Sequence, residues 1–335
     1  MRYIALRIGQ AALVLFVAFT IASLLLAILP GDGVMARYAN PELGLSTAEI
    51  DGIREASGAN APWYVQYWLS LTGFLRGDFG YSVSSGAAVS DLIGAALPST
   101  LALAATAFVA AALVAVVIAV AATYGRVGWL RRAFDSVPSI FISVPVFWFG
   151  IILAQVFSFQ LGWVSVVDPG PVESLVLPAA TLVLPISAPI AQVLIRSIDE
   201  VRAQPFVRVS QAKGARPGWL LTHSVARNAA LPALTIAGLV FGELVGGAVV
   251  TETVFGRAGI GQLTAQAVST RDNPVLLAVV VLATLGYVVV NLLVDLLYPV
   301  IDVRLRKGRA RPIPASRRIG DVDSAPRHAH REVVS

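Results

Sequence analysis

Apolar and polar residues alternate along this chain in blocks rather than in short periods. Six long apolar stretches cover roughly residues 9–30, 98–122, 136–158, 176–195, 231–254 and 275–299. A helix needs about 20 apolar residues to cross a bilayer core of about 30 Å. The pattern therefore predicts an all-α membrane protein with six transmembrane helices and a long extracytoplasmic loop after the first. The first stretch is longer than the roughly 7–15 apolar residues of a signal peptide, and Leu29-Pro30-Gly31-Asp32 follows it instead of a small-residue cleavage site. It is read as an uncleaved span. Pro145, Pro185, Pro189, Pro274 and Pro299 lie within or at the ends of the later stretches. A proline inside a spanning helix bends it, and neighbours must satisfy the freed carbonyl.

The blocks divide the chain into an N-terminal segment with the first span (1–30), an extracytoplasmic loop or cap (31–97), a core of five spans (98–302) with a cytoplasmic loop at 196–230, and a tail (303–335). Within the cap, Ser46-Thr47-Ala48-Glu49 reads as a capping box opening a helix toward Ala56. Pro62 opens an aromatic stretch with Trp63, Tyr64, Tyr67, Trp68 and Leu71, which suits a membrane interface or a packed subdomain. The tail is rich in Arg, Pro, Ser and His, carries too few apolar residues for a core, and is expected to be disordered.

Composition agrees with a membrane chain: 56% of the 335 residues are hydrophobic and 13% charged, against about 25% charged in an average soluble domain. There is no cysteine, which excludes disulfides and thiolate chemistry, and the three histidines leave little for a metal site. The net charge of +5 is topological. With the N-terminus inside, every Lys and Arg falls on the cytoplasmic side except Arg37, Arg54, Arg76, Arg257 and Arg271. By the positive-inside rule both termini face the cytoplasm. The charge is then no footprint of nucleic acid.

Polar groups within the apolar stretches face a bundle or a wet cavity, since a charge at a helix centre costs about 2.5–3.5 kcal/mol on insertion scales. Glu243, Thr251 and Asn291 are candidates for a translocation path; the alternative is interhelical packing, favoured for Asp295 near the inner boundary. Gly238, Gly242 and Gly246 form a small-residue ridge at spacing four, expected to bring two helix backbones close.

The segment Pro205–Pro232 is a mixed-charge island between two apolar stretches. It is expected to hold a short helix from Phe206 to Lys213, a break at Gly214, and a second helix from Pro217 that stops near Leu231-Pro232, with Pro217 suited to a first helical turn. Two short helices hinged by glycine make a lever; the alternative is an ordinary interfacial loop. The sequence has no G-x-x-x-x-G-K-[ST] phosphate loop, no G-x-S-x-G elbow and no H-E-x-x-H helix. No catalytic group, metal site or cofactor site is expected in this chain.

The island carries Phe206-Val207-Arg208-Val209-Ser210-Gln211-Ala212-Lys213-Gly214 and Arg227-Asn228-Ala229-Ala230-Leu231-Pro232. These resemble the cytoplasmic "EAA" loop of permease subunits of ABC importers, in the variant of the dipeptide/oligopeptide/nickel B-type permeases. Arg208 stands where the general pattern has glutamate. Tyr64-Val65-Gln66-Tyr67, Leu75-Arg76-Gly77-Asp78-Phe79-Gly80, Val250 to Phe255, Gly259-Ile260-Gly261 and Asn291 to Tyr298 match in order, so the resemblance spans roughly residues 1–307.

The resemblance implies the type I permease fold and no enzyme activity of the chain's own. It implies a second homologous permease, two ATPase subunits that bind ATP and magnesium, and an extracytoplasmic binding protein, all in or at the cell membrane. Phe206, Val207, Arg208, Ser210, Gln211, Ala212, Lys213, Gly214, Ala215, Arg216 and Trp219 would form the ATPase-coupling loop. ATP binding would move the two coupling loops and open the pore outward. The implied cargo is di- or oligopeptides; a nickel chelate or another small solute is the alternative within the family. A self-contained gradient-driven transporter, or an assembly scaffold, would need no ATPase.

Overall fold

The computed structural model describes the backbone of residues 2–28, 46–56 and 61–301. The expected disordered tail, the Leu29–Asp32 motif and residues 31–45 and 57–60 of the first loop lie outside the described residues. All regular elements among the described residues are helices, apart from an isolated antiparallel bridge between Tyr81 and Ala88.

Helix α1 (Arg2–Ile28) has no charged side chain after Arg7 and exposes Leu13, Phe16, Val17, Ile21 and Leu25. Helix α2 (Thr47–Ala56) starts at the expected capping box. The Ser46 backbone N–H donates to Glu49 Oε2 at 2.8 Å, and the Glu49 N–H donates to Ser46 Oγ at 3.3 Å. Helix α3 (Trp63–Leu75) opens after Pro62 and packs on α1.

The core begins with α4 (Val89–Tyr124), a 36-residue helix. It starts nine residues before the expected span at 98 and passes through Pro98, so the first loop is shorter than the hydropathy pattern implies. The reason is burial: Val89 packs with Ile260 and Val275 and is part of a small second core rather than a loop. Farther along, Ala107, Ala111, Ala115, Ala119 and Ala122 form a buried small-residue stripe beyond the buried Leu103. Such a stripe lets a neighbouring helix approach closely. That neighbour is α7 (Glu173–Arg202), which buries Leu182, Ile186, Ile190 and Ala191 in the same cluster and stays continuous through Pro178, Pro185 and Pro189.

The third expected span, 136–158, is not one straight helix. It is α5 (Gly128–Ser143) followed by α6 (Val146–Leu153), which runs on as a π-helical turn over Ala154–Gln160; the two halves are bent by 100°. Pro145 has no N–H to donate and forces Val144 out of the helical region, to φ −89° and ψ 121°. Two short elements, α8 (Pro205–Ala212) and α9 (Pro217–Leu220), precede α10 (Ala226–Val254). After α11 (Ile260–Thr270) the last described helix is α12 (Asn273–Ile301). The described residues thus contain five helices long and apolar enough to cross a membrane, or six when the bent pair counts as one span.

Candidate functional site

The two ends of the bundle carry the chemistry, and α10 joins them. At one end lies the island. Val207 is 1% exposed and Leu220 2%, and both insert into the main core cluster with Val225. These anchors turn Phe206, Val209 and Trp219 outward, half-exposed, on the opposite faces of α8 and α9. Arg208, Gln211, Ala212, Lys213, Gly214 and Arg216 are also exposed, while Ala215 packs against the cluster. The Ser210 hydroxyl donates to the Phe206 carbonyl within α8. Gly214 adopts φ +84°, a left-handed conformation that costs an L-residue with a side chain about 1–2 kcal/mol. The break at Gly214 and the start at Pro217 therefore fall where the sequence places them.

The expected stop at Leu231-Pro232 does not occur. A π-helical turn, Leu221–Val225, carries α9 directly into α10, and Pro232 lies inside that helix. The helical backbone is therefore continuous from Pro217 into α10. The Trp219 ring stacks on His223 at 4.9 Å with an interplanar angle of 9°.

Arg202, at the end of α7, holds the root of the island. Its Nη1 donates to the Thr123 carbonyl at 2.7 Å and lies 3.5 Å from Asp199 Oδ1, and its guanidinium sits 4.7 Å from the Tyr124 ring centre. The carbonyls of the last turn of α4 lack donors of their own, so a cation there is favourable.

At the opposite end, Glu252 is 0% exposed. Its Oε1 accepts from the Thr100 hydroxyl at 2.7 Å, and its Oε2 accepts from the N–H groups of Gly261 at 2.7 Å and Gln262 at 3.4 Å. Thr100 Oγ1 in turn accepts from the Ile260 N–H at 2.8 Å. One carboxylate thus ties α4, α10 and the first turn of α11, whose unpaired N–H groups favour an anion. Gly259 and Gly261 allow it: a Cβ on Gly259 would overlap the Glu252 carboxylate, and one on Gly261 would overlap the Val249 Cα.

Beside this junction opens a cavity of about 450 Å³ lined by Ser99, Asp168, Glu173, Ser174, Phe255 and Arg257, among others. Arg257 Nη1 donates to the Ser174 carbonyl and hydroxyl at 2.8 Å, and Nη2 donates to the Ser99 carbonyl at 3.2 Å. Burial pushes the Arg257 guanidinium below its ordinary pKa, and the nearby Glu252 carboxylate opposes that shift. A second buried carboxylate, Asp272, accepts from the Ser82 and Ser84 hydroxyls at 2.5 and 3.0 Å and from the Val83 and Ser84 N–H groups at 3.2 and 3.1 Å. It fixes the turn after Gly80 against the start of α12.

Of the path candidates, the side chain of Glu243 lies outside the described residues, as does that of Asp295. Thr251 is buried and donates to the Gly247 carbonyl at 2.8 Å; Asn291 Nδ2 donates to the Tyr287 carbonyl at 2.9 Å. Each of these two bonds stays within its own helix. On the glycine ridge, a Cβ at Gly242 would come 2.7 Å from the Tyr287 ring and one at Gly238 would come 3.0 Å from Val294, so these two lie against α12. Gly246 faces open space. Among the described residues no group of three His, Cys, Asp or Glu side chains could hold a metal ion.

Thr100, Arg257, Asp272 and Arg202 were not legible as site residues in the sequence. Glu252 falls within the Val250 to Phe255 match, which assigns it no role of its own. The signal that could have found the junction is Glu252 followed by Gly259-Ile260-Gly261, an acid ahead of a glycine-flanked helix start.

A bundle of apolar helices, one of them continuous between an exposed hinged island and a buried polar junction, defines a multi-pass helical membrane protein. Residues 111–307 match the family described as binding-protein-dependent transport system inner membrane component, and the chain belongs to that family. It is 36% identical over 312 residues to the probable peptide ABC transporter permease protein y4tP of Sinorhizobium fredii, covering 91% of this chain and 99% of that one. It is 33% identical over 306 residues to the glutathione transport system permease protein GsiC of Escherichia coli K12, again covering 91% and 99%. Its fold is similar to that of a chain of the inward-facing MetNI methionine ABC transporter, with a TM-score of 0.50 and 18% identity over 63% of this chain and 96% of that one. The protein is thus an inner-membrane permease component of a binding-protein-dependent ABC transporter, and ATP hydrolysis lies in partner subunits. A binding protein and ATPases are its partners.

Proposed function

We propose that this chain pairs with a second, homologous permease to form the pathway of a peptide importer, with six spans in the type I arrangement and both termini in the cytoplasm. The cargo reading rests on the two curated relatives, one a probable peptide permease and one a glutathione permease. The coupling reading rests on one observation above all: Phe206, Val209 and Trp219 are held outward by the buried anchors Val207 and Leu220. Exposed apolar side chains on an anchored, basic, hinged element suit a groove on a partner.

The working cycle follows from continuity. A displacement of α8 and α9 by a closing ATPase pair travels through the π-helical turn into α10, because no flexible linker intervenes. Helix α10 carries it to Glu252, where α4 and α11 are tied. The cavity beside Arg257 lies at that outer end and would receive cargo from the binding protein.

The test is affinity purification of the chain from its native membrane with identification of what accompanies it, followed by uptake assays in proteoliposomes. A second permease, Walker-loop ATPases and ATP-dependent uptake of labelled di- and tripeptides are expected. A chain that purifies alone and transports without ATP would overturn the proposal.

A further inference from the structure

We propose that α3 is a seventh membrane element: a helix that lies in the outer leaflet without crossing it, with lipid covering its exposed face. At 13 residues it is about 20 Å long, too short to span. It contains no charged residue: its sequence is WYVQYWLSLTGFL. None of its residues is buried, and Trp63, Tyr64, Trp68, Leu69 and Leu75 are exposed, Leu75 at 81%. An aqueous loop helix would place polar groups on that face.

Its depth follows from what it touches. Phe19 of α1 makes edge-on ring contacts with both Tyr67 and Phe74, at 5.7 and 5.2 Å, so the middle of α3 lies at the level of Phe19. Phe19 sits nine residues before the end of α1 at Ile28, about 14 Å at a rise of about 1.5 Å per residue. The same cluster includes Leu277, four residues into α12, about 6 Å from that helix's start. The two gauges, about 6 and about 14 Å, place α3 below the outer membrane boundary and bracket the roughly 5–10 Å at which interfacial helices lie.

The polar groups of α3 fit this setting. The Thr72 hydroxyl donates to the Trp68 and Leu69 carbonyls, Gln66 Nε2 donates to the Ala61 carbonyl, and the Tyr67 hydroxyl shares a 3.0 Å hydrogen bond with Thr20 Oγ1. Those donors need no water. Helix α1, on which α3 packs, likewise exposes the apolar residues Phe16, Val17 and Leu24. Tryptophan and tyrosine are the side chains enriched at this depth. A second permease seated on α3 is the other occupant that the same surface could take, and the experiment separates the two.

The chain has no cysteine, so single spin labels can be placed at will. Tyr64→Cys, Trp68→Cys, Leu69→Cys and Leu75→Cys are labelled in the full importer complex in proteoliposomes, with Glu55→Cys on α2 as the aqueous reference. Collision with oxygen and with a water-soluble nickel chelate is measured at each. Lipid exposure is expected to raise the oxygen-to-chelate ratio several-fold over the Glu55 label at Trp68, Leu69 and Leu75. Ratios equal to the reference would show α3 in water. Low collision with both probes at all four positions would show it covered by protein. Either result overturns the proposal, and four independent sites guard against the failure of any one variant.

Discussion

The Thr100 hydroxyl donates a 2.7 Å hydrogen bond to the Glu252 carboxylate, joining residues 152 apart in sequence. Loss of one partner from a buried charged hydrogen bond leaves the other desolvated, which costs about 1–3 kcal/mol or more. Glu252→Ala should therefore lower the stability of the purified complex by roughly 3 kcal/mol. Glu252→Gln keeps a carbonyl acceptor for the Gly261 N–H and should assemble. Thermal unfolding of the complex in nanodiscs reads the difference; an Ala variant as stable as wild type would remove the junction's structural role.

Gly259→Ala should damage the same junction for a different reason, because its Cβ overlaps the Glu252 carboxylate. Combined with Glu252→Ala the clash disappears, so the double variant should be less destabilised than the two single effects added together. Strict additivity in the same unfolding assay would show that the two residues do not meet.

Phe206→Asp, Val209→Asp and Trp219→Asp alter exposed positions and leave the anchors Val207 and Leu220 in place. Insertion should persist, while co-purification of the ATPases and cargo-stimulated ATP hydrolysis should fall. Unchanged stimulation in all three would sink the coupling assignment.

Arg202→Gln removes the cation from the Thr123 carbonyl, Asp199 and the Tyr124 ring. A hydrogen bond with a charged partner contributes about 1.5–3 kcal/mol, less where solvent reaches it, so a loss of about 1–2 kcal/mol is expected. The effect should appear as faster hydrogen exchange at 120–124 and 199–205.

Glu49 titrates below the ordinary carboxyl value because the Ser46 backbone N–H, and then its hydroxyl, donate to the charged form. A depressed folded-state pKa contributes stability above the unfolded pKa and loses it as pH falls through the folded one. Exchange protection of the first turn of α2 should thus hold at neutral pH and decline below the ordinary carboxyl range. Glu49→Gln should flatten that dependence.

Much of the fold was legible because long apolar stretches dictate membrane helices almost regardless of partners. The capping box at Ser46 and the break at Gly214 were legible because local chemistry fixes them. The early start of α4 was not, since Val89 gains its burial from Ile260 and Val275, distant in sequence. The 100° bend was foreshadowed by Pro145, but proline alone does not set an angle; α7 passes through three prolines without interruption. The junction at Glu252 was hidden because its members are ordinary residues, Thr100 and two glycines, that acquire meaning only when three helices meet.

The pairing of a long acid with a bare backbone at Glu252 and Gly259 also constrains inheritance. Among descendants of this gene, a shorter residue at 252 would release the space that keeps 259 without a side chain, whereas a side chain arriving first at 259 would meet an occupied site. The order of change is therefore directional: relaxation should begin at the acid and reach the glycine second, leaving lineages with the acid lost and the glycine retained but few of the opposite kind.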